Sequence, residues 1–231
     1  PDRVVTNDEL AARLDTSDEW IRTRTGITRR HMAGPDDTAA SMAARAAQAA
    51  LDYAGLVADD IDAIFLATAT PDQAFPATAV RVQALLGMTR GFGFDLSAAC
   101  SGFIFALATA DAYIRAGMAR KVLVIGSEVY SRILDWSDRG TCVLFGDGAG
   151  AVVLSASDEE EGRGLLSTHL HSDGTLGDLL YVDGAVGQPD KSGHLVMSGR
   201  DVFRHAVSKL SSAVDEALAA QGLSYADVDW L

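Results

Sequence analysis

The chain has 231 residues, 48% of them hydrophobic, which is ample material for a buried core and excludes a disordered polypeptide. Lys and Arg number 19 against 32 Asp and Glu, a formal net charge of −13, so neither nucleic acid nor a membrane surface is expected as a partner through bulk electrostatics. No apolar run approaches the ~20 residues that span a bilayer, PDRVVTNDEL lacks the order of a signal peptide, and only Cys100 and Cys142 carry thiols, which together predict a cytoplasmic protein in a reducing compartment.

In chain order, the first unusual segment is WIRTRTGITRRH (20–31), with Arg22, Arg24, Arg29 and Arg30 and no acid. Guanidinium forks suit phosphate oxygens, and Trp20 offers a ring on which a base can stack. A short patch of this kind fits a nucleotide-bearing small molecule better than a nucleic acid; a solvated basic loop paired with nearby acids is the plain alternative. Residues 38–54 have helical spacing, with Met42, Ala46, Ala49 and Tyr53 on one face and Gly55 as the stop. DDIDAIFLATATP reads as a strand closed by Pro71, and GFGFDLSAAC as a second strand. The latter leads into SGFIFALATADAYIRAG, a helix apolar on most sides. KVLVIGSEV is β-branched without alternation, as strands covered on both faces of a parallel sheet are. TCVLFGDG and AVVLSAS also look strand-like. The glycine-rich stretch 173–199 is either a connector or a loop over a site. Helix returns in DVFRHAVSKLSSAVDEALAAQ, with Phe203, Ala206, Leu210, Val214 and Leu218 on one face. Helices and strands alternate, which predicts α/β layering.

ALDYAGLVADDIDAI (50–64) aligns without gaps on ALAAQGLSYADVDWL (217–231), sharing Ala, Leu, Gly, Leu, Asp and Asp. Each reads as helix end, glycine stop, turn and strand start, which predicts a duplicated α/β unit rather than a solenoid. The second copy stops at Leu231 in mid-strand, so the expectation is a longer polypeptide.

Cys100 falls between an apolar strand and a buried helix. A thiol there meets the helix dipole and unpaired N–H groups, which favour the thiolate; position alone leaves a nucleophile and an inert buried thiol both open. Cys142, inside an apolar run, reads as packing. GDGAG at 146–150 lacks the Lys-Ser/Thr of a phosphate loop and reads as close backbone packing at the start of a strand. His31, His169, His171, His194 and His205 form no metal-ligand pattern, so no metal is expected, and the pair in HLH reads as surface or hydrogen-bonded histidine.

Taken together, TSDEWIRTRTGITRRH, DLSAACSGF, DRGTCVLFGDGAGA and STHLHSDG resemble the β-ketoacyl-acyl-carrier-protein synthase III family, from about Val5 to Leu231. The resemblance implies a thiolase-like α/β fold of duplicated halves in five layers. Residues 1–160 would be the half carrying the nucleophile, and 161–231 the start of an incomplete second half. It implies an acyltransferase that starts fatty-acid synthesis. Cys100 takes an acyl group from a short acyl-CoA, and malonyl-acyl carrier protein then loses CO2 and attacks the acyl-enzyme.

No cofactor is implied beyond the coenzyme A thioester as substrate, and a homodimer is. Residue by residue, Cys100 matches the nucleophile, with its own N–H in the oxyanion hole. Trp20 and Arg139 match residues that sandwich adenine, Arg24 one at the phosphate end, and Thr16 lies beside them. Phe75 matches a residue reaching into the partner's acyl pocket, and Leu144, Leu180, Met197 and Phe203 match the pocket lining. Arg204, with Arg200 near it, would offer the acidic carrier protein a local foothold. The family's catalytic His follows the D-W-L at 229–231, in a P-H-Q-A-N motif, and its catalytic Asn comes later still. Neither lies within these residues, so the isolated piece is expected to be a poor catalyst. A polyketide-priming or hydroxymethylglutaryl-CoA-synthase-like enzyme, or a non-catalytic acyl-CoA-binding subunit, are the alternatives.

Overall fold

The computed structural model describes residues 1–157, 164–184 and 190–231. Its centre is a four-stranded sheet in the order β4-β3-β5-β6, formed by β3 (Ala63–Ala67), β4 (Phe92–Leu96), β5 (Lys121–Val129) and β6 (Asp147–Ser155). β3 runs parallel to β4 and β5, whereas β6 is antiparallel to β5, so the predicted parallel sheet is mixed.

The alternation missing from the apolar strands has a physical cause, because helices cover both faces. Ile64 and Leu66 of β3 and Leu123 and Ile125 of β5 pack under α3 (Ala39–Ala54) and α4 (Thr78–Leu85). Their neighbours Ala63, Phe65, Ala67, Val122 and Val124 pack under α5 (Gly102–Arg115). Side chains on a strand alternate faces, so each face needs its own apolar set and the whole run becomes hydrophobic. Two half-buried aspartates fix where α3 and α4 begin: Asp72 accepts from Ala39 N and Ala40 N, and Asp95 from Thr78 N and Ala79 N.

The remaining elements pack around a second apolar cluster containing Leu10, Ile21, Leu134, Cys142 and Leu195. They are the pair β1 (Arg3–Thr6) and β2 (Arg29–Met32), the helices α1 (Asn7–Ala11) and α2 (Asp18–Thr25), and the pair β7 (Leu180–Asp183) and β8 (His194–Met197). The long α6 (Gly199–Gln221) buries no residue; Phe203 and Leu210, on its predicted apolar face, are exposed.

Several expectations need correction. TCVLFGDG is not a strand: Thr141–Leu144 form turns stitched by Cys142 N to Asp138 O and Leu144 N to Thr141 O, and the strand begins only at Asp147. Of the GDGAG glycines only Gly146 is demanded by close packing, since a Cβ there would sit 3.0 Å from the His31 carbonyl oxygen; Gly148 and Gly150 would meet nothing. The HLH pair is hydrogen-bonded as expected, with His169 Nδ1 and His171 Nε2 3.0 and 2.6 Å from the two Glu216 oxygens. The stretch 173–199 contributes β7 and β8; its residues 185–189 lie outside the described residues, as does the expected boundary at 160/161.

The two aligned segments do share their turn. Gly55 and Gly222 both have φ 66°, Leu56 N and Leu223 N bond Leu51 O and Leu218 O, and a single 3₁₀ turn follows each. After the second, no strand starts among the described residues.

Phe65 is fully buried and packs its ring 4.6 Å from Phe94 and 5.0 Å from Tyr113, centroid to centroid. Phe65→Ala should therefore lower unfolding free energy in urea by about 3–5 kcal/mol. The same truncation at Tyr53, 96% exposed, should stay within about 0.5 kcal/mol.

Candidate active site

Cys100 sits in the turn that carries β4 into α5. The helix comes unusually close to the sheet here: a Cβ on Gly102 would lie 3.0 Å from the Ala67 Cβ, so glycine is what lets the first turn of α5 rest against the end of β3. The preceding Ala99 has φ 45°, a left-handed conformation that costs a residue with a Cβ about 1–2 kcal/mol. One 3₁₀ turn, Ala99–Ser101, then feeds the helix. The result is an exposed thiol on the wall of a cavity of about 400 Å³. Its other walls are Ala67, Phe103, Glu128, Tyr130, Phe145 and the glycine-rich start of β6, with Gly148 and Gly150. Those two glycines leave room for the cavity, a role the sequence reading did not assign.

Glu128 closes the polar side. Its Oε1 accepts from Ala69 N at 2.8 Å and its Oε2 from the Thr70 hydroxyl at 2.5 Å and the Thr68 hydroxyl at 3.4 Å. Burial pushes its carboxyl above the usual range, against the downward pull of these bonds. Cys142 is the opposite case from Cys100: it is fully buried, and burial, then the Asp138 charge, push its thiol up. That agrees with a packing role.

A second set of residues gathers at α2. Ser17 caps the helix by accepting from Trp20 N at 3.1 Å, and Gly26 ends it at φ 72°, which fixes how Trp20 leaves the backbone. Arg24 Cζ lies 4.5 Å and Arg139 Cζ 5.7 Å from the Trp20 ring centroid. Arg139 reaches there from a turn held by Asp138, which accepts from Gly140 N and the Thr141 hydroxyl; its guanidinium also donates to the Asp15 carbonyl and, at 3.0 Å, to the Asp15 carboxylate. Beside them the Thr16 hydroxyl is buried with no hydrogen-bond partner, a group that an arriving ligand could satisfy.

The arginine patch itself divides. Arg30 is buried and donates to Val5 O and Val143 O, so it holds the fold together rather than offering a phosphate contact. Arg22 pairs with Asp18 at 3.4 Å.

The remaining expected residues are only partly assembled. Leu144, Leu180 and Met197 pack in one cluster with Trp20, Tyr130 and Phe145, next to the Cys100 cavity. Phe75 and Phe203 do not join them and are 84% and 71% exposed. Arg204 pairs with Asp201 at 3.0 Å, and Arg200 is exposed beside it. Tyr130, Phe145 and Glu128 were missed, because the segments that carry them become neighbours only when β5 and β6 pair.

A family model described as 3-oxoacyl-[acyl-carrier-protein] synthase III matches residues 94–174, the segment that holds Cys100 and most of the cavity wall. The beta-ketoacyl-[acyl-carrier-protein] synthase III of Acidiphilium cryptum is 66% identical over 231 residues, which is 100% of this chain and 72% of that protein. The chain belongs to the β-ketoacyl-acyl-carrier-protein synthase III family. The homologue from Granulibacter bethesdensis is 63% identical, with the same two coverages of 100% and 72%. Among solved structures, the 3-oxoacyl-[acyl-carrier-protein] synthase III of Aquifex aeolicus superposes with TM-score 0.92 at 45% identity, covering 99% of this chain and 71% of that one. A priming β-ketosynthase of a polyketide pathway superposes with TM-score 0.89 at 38% identity, over 99% and 69%. The mixed sheet between helices is thus the family's thiolase-like fold.

The contrast between the two thiols is directly measurable. In the folded protein iodoacetamide should label Cys100 and leave Cys142 unmodified until denaturant is added, as peptide mass spectrometry would read; equal labelling of both would contradict the geometry.

Proposed function

We propose that this chain carries the acyl-transfer machinery of a condensing enzyme: Cys100 takes an acyl group from a short acyl-CoA, and decarboxylative Claisen condensation with malonyl-acyl carrier protein follows once the family's His and Asn, which are not among these residues, are supplied. The products are a 3-oxoacyl-carrier protein, coenzyme A and CO2. One observation carries the reading: an exposed thiol on a cavity wall, at a strained strand-to-helix turn, in a chain whose relatives at 63–66% identity are named for this synthase activity.

The acyl-transfer steps follow from residues in place. The Cys100 sulfur attacks the thioester carbonyl, the bond to the coenzyme A sulfur breaks, and the acyl group stays on Cys100. The oxyanion forms over the first turn of α5, where backbone N–H groups are concentrated. Trp20 takes the adenine ring with Arg139 on it, Arg24 takes the phosphates, and the buried Thr16 hydroxyl gains a polar partner. Leu144, Leu180 and Met197 belong to the wall around the acyl chain, and Phe203 closes it once the face of α6 is covered. Phe75, exposed on this chain, reaches into the pocket of a second copy, so the working enzyme is a homodimer. Arg204 and Arg200 receive the acidic carrier protein, Arg204 exchanging its Asp201 partner for one on the carrier. No cofactor beyond the coenzyme A thioester enters this scheme, and both cysteines being free thiols supports a cytoplasmic setting.

A polyketide-priming role is the second reading, favoured by the 38% identity to a priming β-ketosynthase. A panel of acetyl-, isobutyryl- and longer acyl-CoA primers separates it from fatty-acid initiation.

Incubation with acetyl-CoA should add one acetyl group to the Cys100 peptide, and Cys100→Ala should abolish the adduct. An acetyl group elsewhere, or one that survives Cys100→Ala, would refute the assignment. Trp20→Ala should raise the concentration of acetyl-CoA needed for half-maximal acylation by about tenfold, the loss of one stacking and cation–π contact, while the rate at saturation stays within about twofold.

A further inference from the structure

The Cys100 cavity holds a second polar group that acyl transfer as described leaves without a role. Tyr130 opens a single 3₁₀ turn, Tyr130–Arg132, directly after β5. Its ring lies flat on Phe145, with centroids 5.1 Å apart and planes 8° from parallel. Both rings line the cavity with Cys100, so stacking fixes the direction in which the phenol points. The hydroxyl and the Cys100 sulfur share this wall, near enough that the Cys100 charge acts on the phenol.

The surroundings decide which partner holds the proton. Burial, followed by the charges of Cys100 and Glu128, pushes the phenol well above its ordinary pKa, so it remains protonated at neutral pH. Glu128, from β5, is the other titratable group lining the cavity, and both its oxygens are engaged by Thr68, Ala69 and Thr70. α5 contributes Phe103 there and β6 contributes Gly148, Ala149 and Gly150, none of which titrates. The phenol hydrogen is therefore left for the sulfur.

Building on the acyl-cysteine reading above, we propose that Tyr130 is a catalytic residue whose hydroxyl donates a hydrogen bond to the Cys100 thiolate and aims it at the thioester carbonyl. The O–H bond stays intact throughout. The sulfur lone pair forms the new C–S bond, the bond from the carbonyl carbon to the coenzyme A sulfur breaks, and the departing thiolate takes its proton from water. The hydroxyl raises the fraction of Cys100 present as nucleophile. Once the sulfur is a neutral thioester it is a weaker acceptor, so the interaction favours the attacking state over the acylated one.

The test is a pH series of iodoacetamide alkylation on the full chain and on Tyr130→Phe, with the Cys100 peptide quantified by mass spectrometry. Tyr130→Phe keeps the ring and its stack and removes one oxygen. The alkylation midpoint should rise by about one pH unit, and labelling at pH 7 should slow by about tenfold. Continued protection of Cys142 reports an intact fold. Replacing tyrosine throughout the unsubstituted chain by a ring-fluorinated tyrosine, a stronger donor of nearly the same shape, should move the midpoint down. An unchanged midpoint in the folded Tyr130→Phe protein overturns the proposal, and if that variant loses its fold, an unchanged midpoint in the fluorinated protein does so. Alkylation needs no coenzyme A, so failure of the acetyl adduct would refute acyl transfer without deciding this profile.

Discussion

The approach of α5 to β3 is the constraint on which the site depends. Because residue 102 has no Cβ, the helix that begins there can press its first turn against Ala67. The chain leaving β4 must then turn sharply, and it does so by forcing Ala99 into left-handed backbone. Strain of this size persists only where the surroundings over-determine it. Here the surroundings are parallel strands on one side and an alanine-lined helix on the other, with Ala106 and Ala110 fully buried against the sheet. The outcome is a thiol held at the C-terminal ends of β3, β4 and β5, facing a cavity that β6 leaves open by using glycine.

That arrangement explains why the two cysteines differ although both lie in apolar sequence. Cys142 follows a turn into the interior, where desolvation disfavours the thiolate. Cys100 follows a turn outward, onto the cavity wall. The fold thus separates an exposed sulfur from a buried one by backbone geometry, with no histidine among the described residues lining the cavity.

Much of this was legible in the sequence. The covered strands announced themselves by losing alternation, the helices by period and glycine stops, and Cys100 by standing between the two kinds of pattern. Trp20, Arg24 and Arg139 were legible as a set only through family resemblance, since Arg139 is far from the others in sequence and meets Trp20 through turns that Asp138 and Ser17 cap. Hydrophobicity misled at TCVLFGDG, where buried apolar residues sit in turns, because burial does not require a strand. It misled again at Arg30, whose charge reads as a surface group but whose guanidinium bonds two carbonyls in the interior. Tyr130 and Phe145 were invisible for a different reason: the antiparallel register that pairs Val129 with Asp147 is a tertiary fact, and nothing local in either segment encodes it. The exposed faces of Phe75 and Phe203 show the limit of assigning lining residues by motif alone, because each needs another surface against it before it lines anything.

The central claim is spatial: one cavity wall holds the sulfur that receives the acyl group, and the Trp20 ring with its two guanidiniums holds the base of the donor. A crystal structure of the protein soaked with acetyl-CoA tests it most directly. The account predicts electron density continuous from the Cys100 sulfur into the space beside Tyr130 and Phe145, with the adenine resting on Trp20. An unmodified Cys100 with the base bound away from Trp20 would contradict it.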